Sequence, residues 1–202
     1  MARTEAPTKK MTYEEFLAWC DEDTWAEWVD GEVVMVSPAS LPHQEIKRLL
    51  VAILQAYVEQ RDLGEVLDAP FQMRLVELQR GREPDVLFIA KEHLDRLKET
   101  YLDGPADVVI EIVSPESGPR DRGEKYYEYE AAGVREYWLI DPDRQHAEFY
   151  LLNRQNRYEL ISPDAQGIYR SDVIAGFWLN VNWLWQRPLP RILTVLKELK
   201  LI

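Results

Sequence analysis

One hexapeptide limits the possible folds of this 202-residue chain more than any other segment. Residues 108–113 read Val-Val-Ile-Glu-Ile-Val, so five β-branched apolar residues surround a single glutamate, Glu111. A nearly continuous apolar run is typical of a central strand covered on both faces. A carboxylate inside it costs several kcal/mol of desolvation unless it is paired, bound to metal or protonated. The segment therefore predicts a sheet flanked by helices, with a compensated carboxylate in its interior.

Patterns on either side of this run predict the elements that flank it. The strongest is the helical spacing of apolar residues from Pro42 to Asp62, which Gly64 is placed to end. Asp121, with Glu124 three residues on, is placed as the N-cap of a helix that Gly133 closes. The remaining core elements are predicted as strands at 65–78 (bent near Pro70), 85–90 and 136–140, a turn at 79–82 and a helical connector at 92–100. The predicted core order is α-β-β-β-α-β.

Additional elements are predicted at both ends of this core. Thr12 to Glu15 read as a capping box for a short helix to about Cys20. Asp30-Gly31 suits a type I′ turn, which predicts an N-terminal hairpin of strands 25–29 and 32–36. The C-terminal β additions are predicted at 147–152, 158–161 and 177–185, followed by a helix at 193–199.

The composition indicates a reducing compartment and no membrane partner. Cys20 is alone, which excludes an internal disulfide, and the three histidines lack zinc-ligand spacing. No stretch approaches the ~18 apolar residues of a membrane span, and the N-terminus lacks the apolar run of a secretory signal. No Gly/Ser-rich or Pro-rich linker divides the chain. We expect a cytoplasmic protein with a flexible tail at 1–10 and one α/β domain at 11–202.

The charge counts against a general nucleic-acid binder. The formal net charge is −12 and the pI is about 4.8, whereas phosphate binding relies on clustered Lys and Arg. Any contact with a polyanion must therefore be local. Arg74, Arg80 and Arg82 supply one small basic stretch.

Two carboxylates on successive predicted core strands are the candidate chemical groups. Asp85 opens one strand directly after Pro84, and Glu111 lies in the next. Taken alone, Asp85 could be a turn or cap residue, and Glu111 could reach solvent or meet an arginine. Taken together, they can converge on one divalent cation, and hard oxygen ligands of this kind suit Mg²⁺ or Mn²⁺.

An ordered set of motifs gives the chain a family resemblance. Pro84-Asp85, Glu111-Ile-Val-Ser114, Asp121-xxx-Lys125-xxx-Tyr129 and Gly133-Val-Arg-Glu-Tyr-Trp138 follow one another, after an opening of Glu27-Trp-Val-Asp-Gly-Glu32, Ser37-Pro38 and His43. Over about residues 12 to 182 this order resembles the Uma2 family (formerly DUF820), a branch of the PD-(D/E)XK nuclease superfamily. The resemblance implies a restriction-endonuclease-like core with a mixed sheet flanked by helices.

One departure from the superfamily pattern concerns the lysine. Val113 stands two residues after Glu111, where the superfamily has its lysine. Asp121, Lys125 and Tyr129 are spaced to share one face of the following helix, so Lys125 could reach the site from there. Without the pattern Lys125 would be a solvated helix lysine; the resemblance implies the migrated-lysine arrangement of Uma2-like sequences.

The resemblance also assigns roles. Asp85, Glu111 and the Ile112 carbonyl would hold Mg²⁺ or Mn²⁺, Lys125 would position the attacking water or neutralise the transition state, and Asp121 and Tyr129 would hold Lys125. His43 is expected near the site, although a core or edge histidine is the alternative. Glu27 or Glu45 could be an auxiliary acid.

The predicted activity is metal-dependent endonucleolytic hydrolysis of DNA phosphodiester bonds. DNA is the expected substrate, and we expect a homodimer or higher homo-oligomer. The alternative is a catalytically silent binding or assembly module on the same fold, which the net charge of −12 favours. The Asp85, Glu111 and Lys125 set favours the enzyme.

Overall fold

The computed structural model describes residues 6–21, 24–115 and 117–202. The strands, in chain order, are β1 (Ala26–Val29), β2 (Glu32–Met35), β3 (Gly64–Asp68), β4 (Gln72–Leu75), β5 (Arg80–Arg82), β6 (Val86–Ala90), β7 (Tyr101–Asp103), β8 (Val108–Ile112), β9 (Glu136–Asp141), β10 (His146–Leu152), β11 (Tyr158–Leu160), β12 (Ile168–Arg170) and β13 (Trp178–Asn180).

The α-helices are α1 (Tyr13–Trp19), α2 (Leu41–Arg61), α3 (Gly118–Arg120), α4 (Tyr126–Ala132) and α5 (Ile192–Glu198). A π-helical turn, Asp121–Lys125, joins α3 directly to α4. Short 3₁₀ helices occupy Val76–Leu78, Lys91–Arg96 and Val181–Trp185. None of the helices in the described part of the chain has the length and apolar composition needed to cross a membrane.

The predicted central strand is β8, which lies inside a six-stranded sheet of order β11-β10-β9-β8-β6-β3. The β8–β9 pair is parallel and the other four pairs are antiparallel, so the sheet is mixed. A second sheet has the order β2-β1-β5-β4-β7, and β12 pairs with β13. The predicted fold class, a mixed sheet flanked by helices, is confirmed.

Both faces of β8 are covered, as its composition predicts. Val108, Ile110 and Ile112 pack in one hydrophobic cluster with the buried side chains of α2. Val109 and Val113 face the opposite cluster, which contains Tyr129 of α4. Because side chains alternate along a strand, Glu111 shares the α4 face with Val109 and Val113.

The capping and turn signals of the sequence are confirmed. Thr12 and Glu15 form the reciprocal capping box of α1. Asp30 and Gly31 have φ angles of 49° and 86°, which a type I′ hairpin turn requires at both positions. Gly133 ends α4 with a φ of 85°.

Several boundaries were predicted wrongly. The helix α2 ends at Arg61, close to its predicted end, but its left-handed C-cap is Asp62, whereas Gly64, predicted to end the helix, begins β3. The segment 65–78 is two strands in different sheets, and 79–82 contains strand β5 instead of a turn alone. Asp121 lies inside the π turn and caps no helix, because α3 has already begun at Gly118.

The connector at 92–100 is only partly helical: a 3₁₀ helix ends at Arg96 and strand β7 follows. Of the predicted N-terminal tail, residues 1–5 lie outside the described part of the chain. The C-terminal strands at 147–152 and 158–161 and the helix at 193–199 occur close to their predicted positions, as β10, β11 and α5. The strand predicted at 177–185 is wrong in its second half, because β13 covers only Trp178–Asn180 and a 3₁₀ helix follows at Val181–Trp185.

Candidate active site

Strand register brings the two candidate carboxylates together. The antiparallel pair β6–β8 matches Val86 with Ile110, which places Asp85 opposite Glu111 at the end of the ladder. Asp85 is one residue before Val86, so both carboxylates project on the α4 face of the sheet. The Ile112 amide donates a 2.7 Å hydrogen bond to Asp85 Oδ2 and fixes this carboxylate against β8.

Glu111 is almost fully buried, with 4% of its surface exposed. Its Oε1 accepts hydrogen bonds from Lys125 Nζ and from the Tyr129 hydroxyl, each at 2.8 Å. Its Oε2 accepts no hydrogen bond from the described residues, and Glu111 lines a cleft. The compensation that the sequence required therefore comes from a lysine and a tyrosine, and one carboxylate oxygen is left for a ligand.

Lys125 is buried at the centre of a group of carboxylates. Its Nζ lies 2.8 Å from Glu111 Oε1, 3.0 Å from Glu27 Oε1 and 3.6 Å from Asp121 Oδ1. The contact with Glu111 is a hydrogen bond, the contact with Glu27 is an ion pair, and the distance to Asp121 is too long for a hydrogen bond. Asp121 Oδ1 is buried without a hydrogen-bond partner in the described structure. The helix lysine therefore reaches the carboxylates from the face of the helix predicted for it.

Glu27 connects the second sheet to the site. Its Oε2 accepts a 2.9 Å hydrogen bond from Arg82, which is itself fully buried and binds Glu128 through two hydrogen bonds. Burial would raise the pKa of Glu27, but Lys125, Arg82 and Arg120 lower it to about 2. Glu27 is therefore a charged anchor between strand β1 and Lys125.

The pKa of Glu111 is raised, in contrast to that of Glu27. Burial is the main cause; Lys125 opposes it, and Asp121, Asp85 and Glu27 add to it by like-charge repulsion. Burial and like-charge repulsion both disfavour the ionised form of a carboxyl group, so they act in the same direction at Glu111. Glu111 therefore gains from a ligand that favours its ionised form, such as a cation.

Glu83 is a functional candidate that the sequence reasoning missed. It lines the same cleft, and burial together with Glu27 raises its pKa to about 7. Its Oε2 accepts a 2.8 Å hydrogen bond from the Gln72 amide. A signal was present, because Glu83 stands two residues before Asp85 and side chains at that spacing share one face of an extended chain. The sequence reasoning placed Arg82 in a basic stretch and did not predict that it is buried and bonded to Glu27 and Glu128.

Helix α2 carries two candidate site residues, His43 and Glu45, and only His43 contacts the site. His43 Nε2 lies 2.9 Å from Asp85 Oδ1, so His43 contacts the site and is not a purely apolar core residue. Glu45 is absent from the side chains that line the cleft, whereas Glu27 is among them. Between the two alternatives for an auxiliary acid, the structure brings only Glu27 to the site.

The cleft has a volume of about 520 Å³ and is open to solvent beside Asp85, Glu111 and Lys125. Within the described residues no three His, Cys, Asp or Glu side chains form a ready-made metal site. Two carboxylates with room for water nevertheless fit Mg²⁺, which is commonly held by one or two carboxylates and keeps several waters. The oxygen donors and the raised pKa of Glu111 fit a hard divalent cation.

The basic stretch of Arg74, Arg80 and Arg82 is engaged in ion pairs within the protein. Arg82 is fully buried, Arg80 pairs with Asp30 and Glu128, and Arg74 pairs with Glu14. These arginines alternate with other residues on β4 and β5 and join the second sheet to α1 and α4. Their charges stabilise the fold and are not available to a polyanion.

Comparison with known proteins assigns the family. The pattern of the Uma2 family, described as "Putative restriction endonuclease", matches residues 13–182. No curated protein matches the sequence. A crystal structure from Anabaena variabilis, described as a putative nuclease belonging to DUF820, superposes with a TM-score of 0.72 at 19% identity, covering 87% of this chain and 97% of that chain. That identity supports the fold alone. The family match spans most of the chain, and the protein therefore belongs to the Uma2 family.

Proposed function

We propose that the protein is a divalent-metal-dependent nuclease that hydrolyses DNA phosphodiester bonds at the cleft beside Asp85, Glu111 and Lys125. The observation that carries the proposal is a buried lysine bonded to a buried carboxylate that keeps one oxygen free towards the cleft. The family description supports the same class of reaction.

Asp85, Glu111 and the Ile112 carbonyl are the groups that would hold Mg²⁺ or Mn²⁺. When bound there, such an ion would acidify and orient a water and offset charge on the phosphate. The Ile112 amide and His43 restrict the orientation of Asp85 through its two oxygens. The Tyr129 hydroxyl and Lys125 restrict Glu111 in the same way.

Lys125 would act on the attacking water or on the phosphate. Its ammonium donates a hydrogen bond to Glu111 and forms an ion pair with Glu27, and these two contacts fix it at the cleft wall. The distance from Lys125 Nζ to Asp121 Oδ1 is 3.6 Å, which is too long for a hydrogen bond. We assign to the substrate an N–H donor of Lys125 that is not bonded to Glu111, because a fixed cation of this kind stabilises developing negative charge.

A second candidate function is a catalytically silent binding or assembly module, and one observation favours it. Arg80 and Arg82 are engaged in internal ion pairs, and the net charge of the chain is −12. The two candidates differ in what they predict for substitutions that preserve the fold but neutralise a carboxylate.

The test is cleavage of single-stranded and duplex DNA in Mg²⁺, in Mn²⁺ and in EDTA. We expect wild-type cleavage only with metal, and a loss of about 100-fold or more in Glu111→Gln and in Asp85→Asn. Asp95→Asn is the matched control, because Asp95 is exposed and does not line the cleft. Cleavage that survives in both site variants would contradict the assignment, and no cleavage by folded wild type would favour the silent module.

A further inference from the structure

The active-site cleft continues into a second depression along helix α2. Four residues line both spaces: Trp25, Gln44, Lys47 and Ala69. The second space, here called the α2 groove, has a volume of about 490 Å³ and is bounded on its far side by Arg48, Gln55 and Pro70. A ligand that occupies the cleft can therefore extend into the groove without leaving the surface.

The two ends of this continuous depression carry opposite charge. The cleft is lined by six carboxylates, Glu27, Glu83, Asp85, Glu111, Asp121 and Glu124, and by only three cationic side chains, Lys47, Arg120 and Lys125. The charged residues of the α2 groove are Lys47, Arg48 and Asp68. Lys47 pairs with Asp68 at 3.1 Å, whereas Arg48 is exposed and forms no ion pair with any described residue. The groove is thus the positive end of an otherwise acidic depression.

The groove also has side chains without hydrogen-bond partners. In the described structure, the side chains of Trp25, Gln44, Arg48 and Gln55 make no hydrogen bond or ion pair. Trp25 is among the exposed large hydrophobic residues, with 36% of its surface accessible. An exposed indole, two free amides and a free guanidinium in one groove match the groups that a nucleotide offers: a flat base, base-edge donors and acceptors, and a phosphate.

We propose that the α2 groove binds an unpaired nucleotide next to the scissile phosphate, with its base stacked on Trp25 and its phosphate held by Arg48. This inference rests on the proposed nuclease function and adds a substrate class to it: single-stranded DNA, or DNA with a single-stranded segment. A base can stack on a tryptophan face only when it has left its own helix, and aromatic stacking beside a cationic track is the usual means of binding single strands.

A neighbouring depression, on the Ser114 side of the cleft, is less suited to binding a DNA strand. The depression beside Ser114 and Gly118 contains two arginines, Arg122 and Arg144, but both lie within ion-pair distance of Asp141. Arg122 also pairs with Glu148. With its cations neutralised and no aromatic residue in its lining, that side offers a nucleotide neither stacking nor a free positive charge.

The test measures binding of a fluorescein-labelled 12-nucleotide single strand and of the matching duplex by anisotropy. Ca²⁺ replaces Mg²⁺ as a hard cation that takes oxygen ligands, and gels confirm that the probe stays intact. We expect tighter binding of the single strand. Trp25→Ala should weaken it by about 5- to 150-fold, and Trp25→Phe should retain most of the affinity. Arg48→Gln should reduce the slope of log affinity against log salt by about 0.7.

Two control variants isolate the groove. Tyr127→Ala removes an exposed aromatic side chain, 62% accessible, on α4, and Arg154→Gln removes an exposed arginine between β10 and β11. Neither should change affinity by more than twofold, and thermal melts establish that every variant is folded. Single-strand binding that is unchanged in both Trp25→Ala and Arg48→Gln would overturn the inference while leaving the proposed cleavage intact. Preference for the duplex, or no binding of either probe, would also overturn the inference about the groove. The proposed nuclease function is tested separately, by the metal-dependent cleavage assay.

Discussion

Lys125 is the residue on which the buried charges of this protein converge. It contacts Glu111 and Glu27 and faces Asp121, and each of these carboxylates is at most 4% exposed. Removing one partner of a buried ion pair leaves an uncompensated charge in a medium of low polarity. The lysine is therefore required by the fold as well as by the proposed chemistry.

Lys125→Met should lower the free energy of unfolding by roughly 3–5 kcal/mol at neutral pH, because it leaves three buried carboxylates without their shared cation. Urea unfolding provides the measurement. Lys197→Met, on the exposed surface of α5, is the control and should change stability by no more than about 0.5 kcal/mol. A loss below about 1 kcal/mol in Lys125→Met would show that the surrounding carboxylates are not charged in the folded protein.

Glu83 should make the stability of the metal-free protein depend on pH. Its pKa is 4.5 in the unfolded reference and about 7 in the fold, mainly through burial. Between these values the folded state holds a proton that the unfolded state has lost, so stability falls as pH rises from 4.5 to 7. The penalty is complete above pH 7.

Glu83→Gln removes this titration, so the variant should lose less stability than wild type between pH 5 and 8, by on the order of 1–3 kcal/mol. Urea unfolding in EDTA at several pH values measures the difference, with exposed Glu77→Gln as the control. Identical slopes for wild type and Glu83→Gln would mean that Glu83 is not the titrating group.

The principal side chains of the candidate site could be predicted because the residues next to them in sequence form recognisable patterns. Glu111 interrupts an apolar strand, and Lys125 and Tyr129 stand at helical spacing. Arg82 could not be predicted as a buried residue, since its partners Glu27 and Glu128 lie 55 and 46 residues away. These hydrogen bonds form only because distant segments pair as strands, and no local sequence pattern predicts that pairing.

At the scale of elements, the π turn between α3 and α4 sets the position of the lysine. Asp121 and Lys125 are its first and last residues, and both are buried. Turns of this type are rare and occur frequently at functional sites. The turn also explains why Asp121 looked like an N-cap: its acidic side chain opens a helical segment, but the chain is already helical from Gly118.

Two glycines near this turn should respond in opposite ways to alanine. Gly123 has an ordinary backbone conformation and open space around a new Cβ, so Gly123→Ala should stabilise the protein by about 0.5–1 kcal/mol. Gly133 has a φ of +85°, so Gly133→Ala should destabilise it by about 1 kcal/mol. Thermal or urea unfolding of both variants measures the effects. The same sign for both would contradict the backbone assignment of this segment.

Element prediction succeeded where burial follows a simple period and failed where short strands depend on distant partners. The helix α2 and strands β6, β8 and β9 have strong local patterns and were found. Strand β5 has three residues, two of them arginines, and exists because it pairs with β1 and β4. Strand β7 is equally short and pairs in parallel with β4. Tertiary contacts decide such segments.

At the scale of the whole molecule, the site lies where the two sheets and the helices meet. The six-stranded sheet supplies Glu111, with Asp85 directly before β6, and the second sheet supplies Glu27. The helical segment supplies Lys125, and α2 supplies His43. Much of the acidic excess outside this cleft is solvated surface, but the carboxylates inside it are buried together and would be relieved by a cation.

The most direct test of the central claim is calorimetric titration of Mn²⁺ and Mg²⁺ into the metal-free protein at pH 7.5. We predict one site with a Kd of about millimolar or tighter in wild type and in the exposed-residue control Asp95→Asn. Glu111→Gln and Asp85→Asn, folded as judged by their melts, should bind neither ion at this site. Folded wild type that gives no heat with either metal, or site variants that bind as wild type does, would contradict the metal-dependent active site.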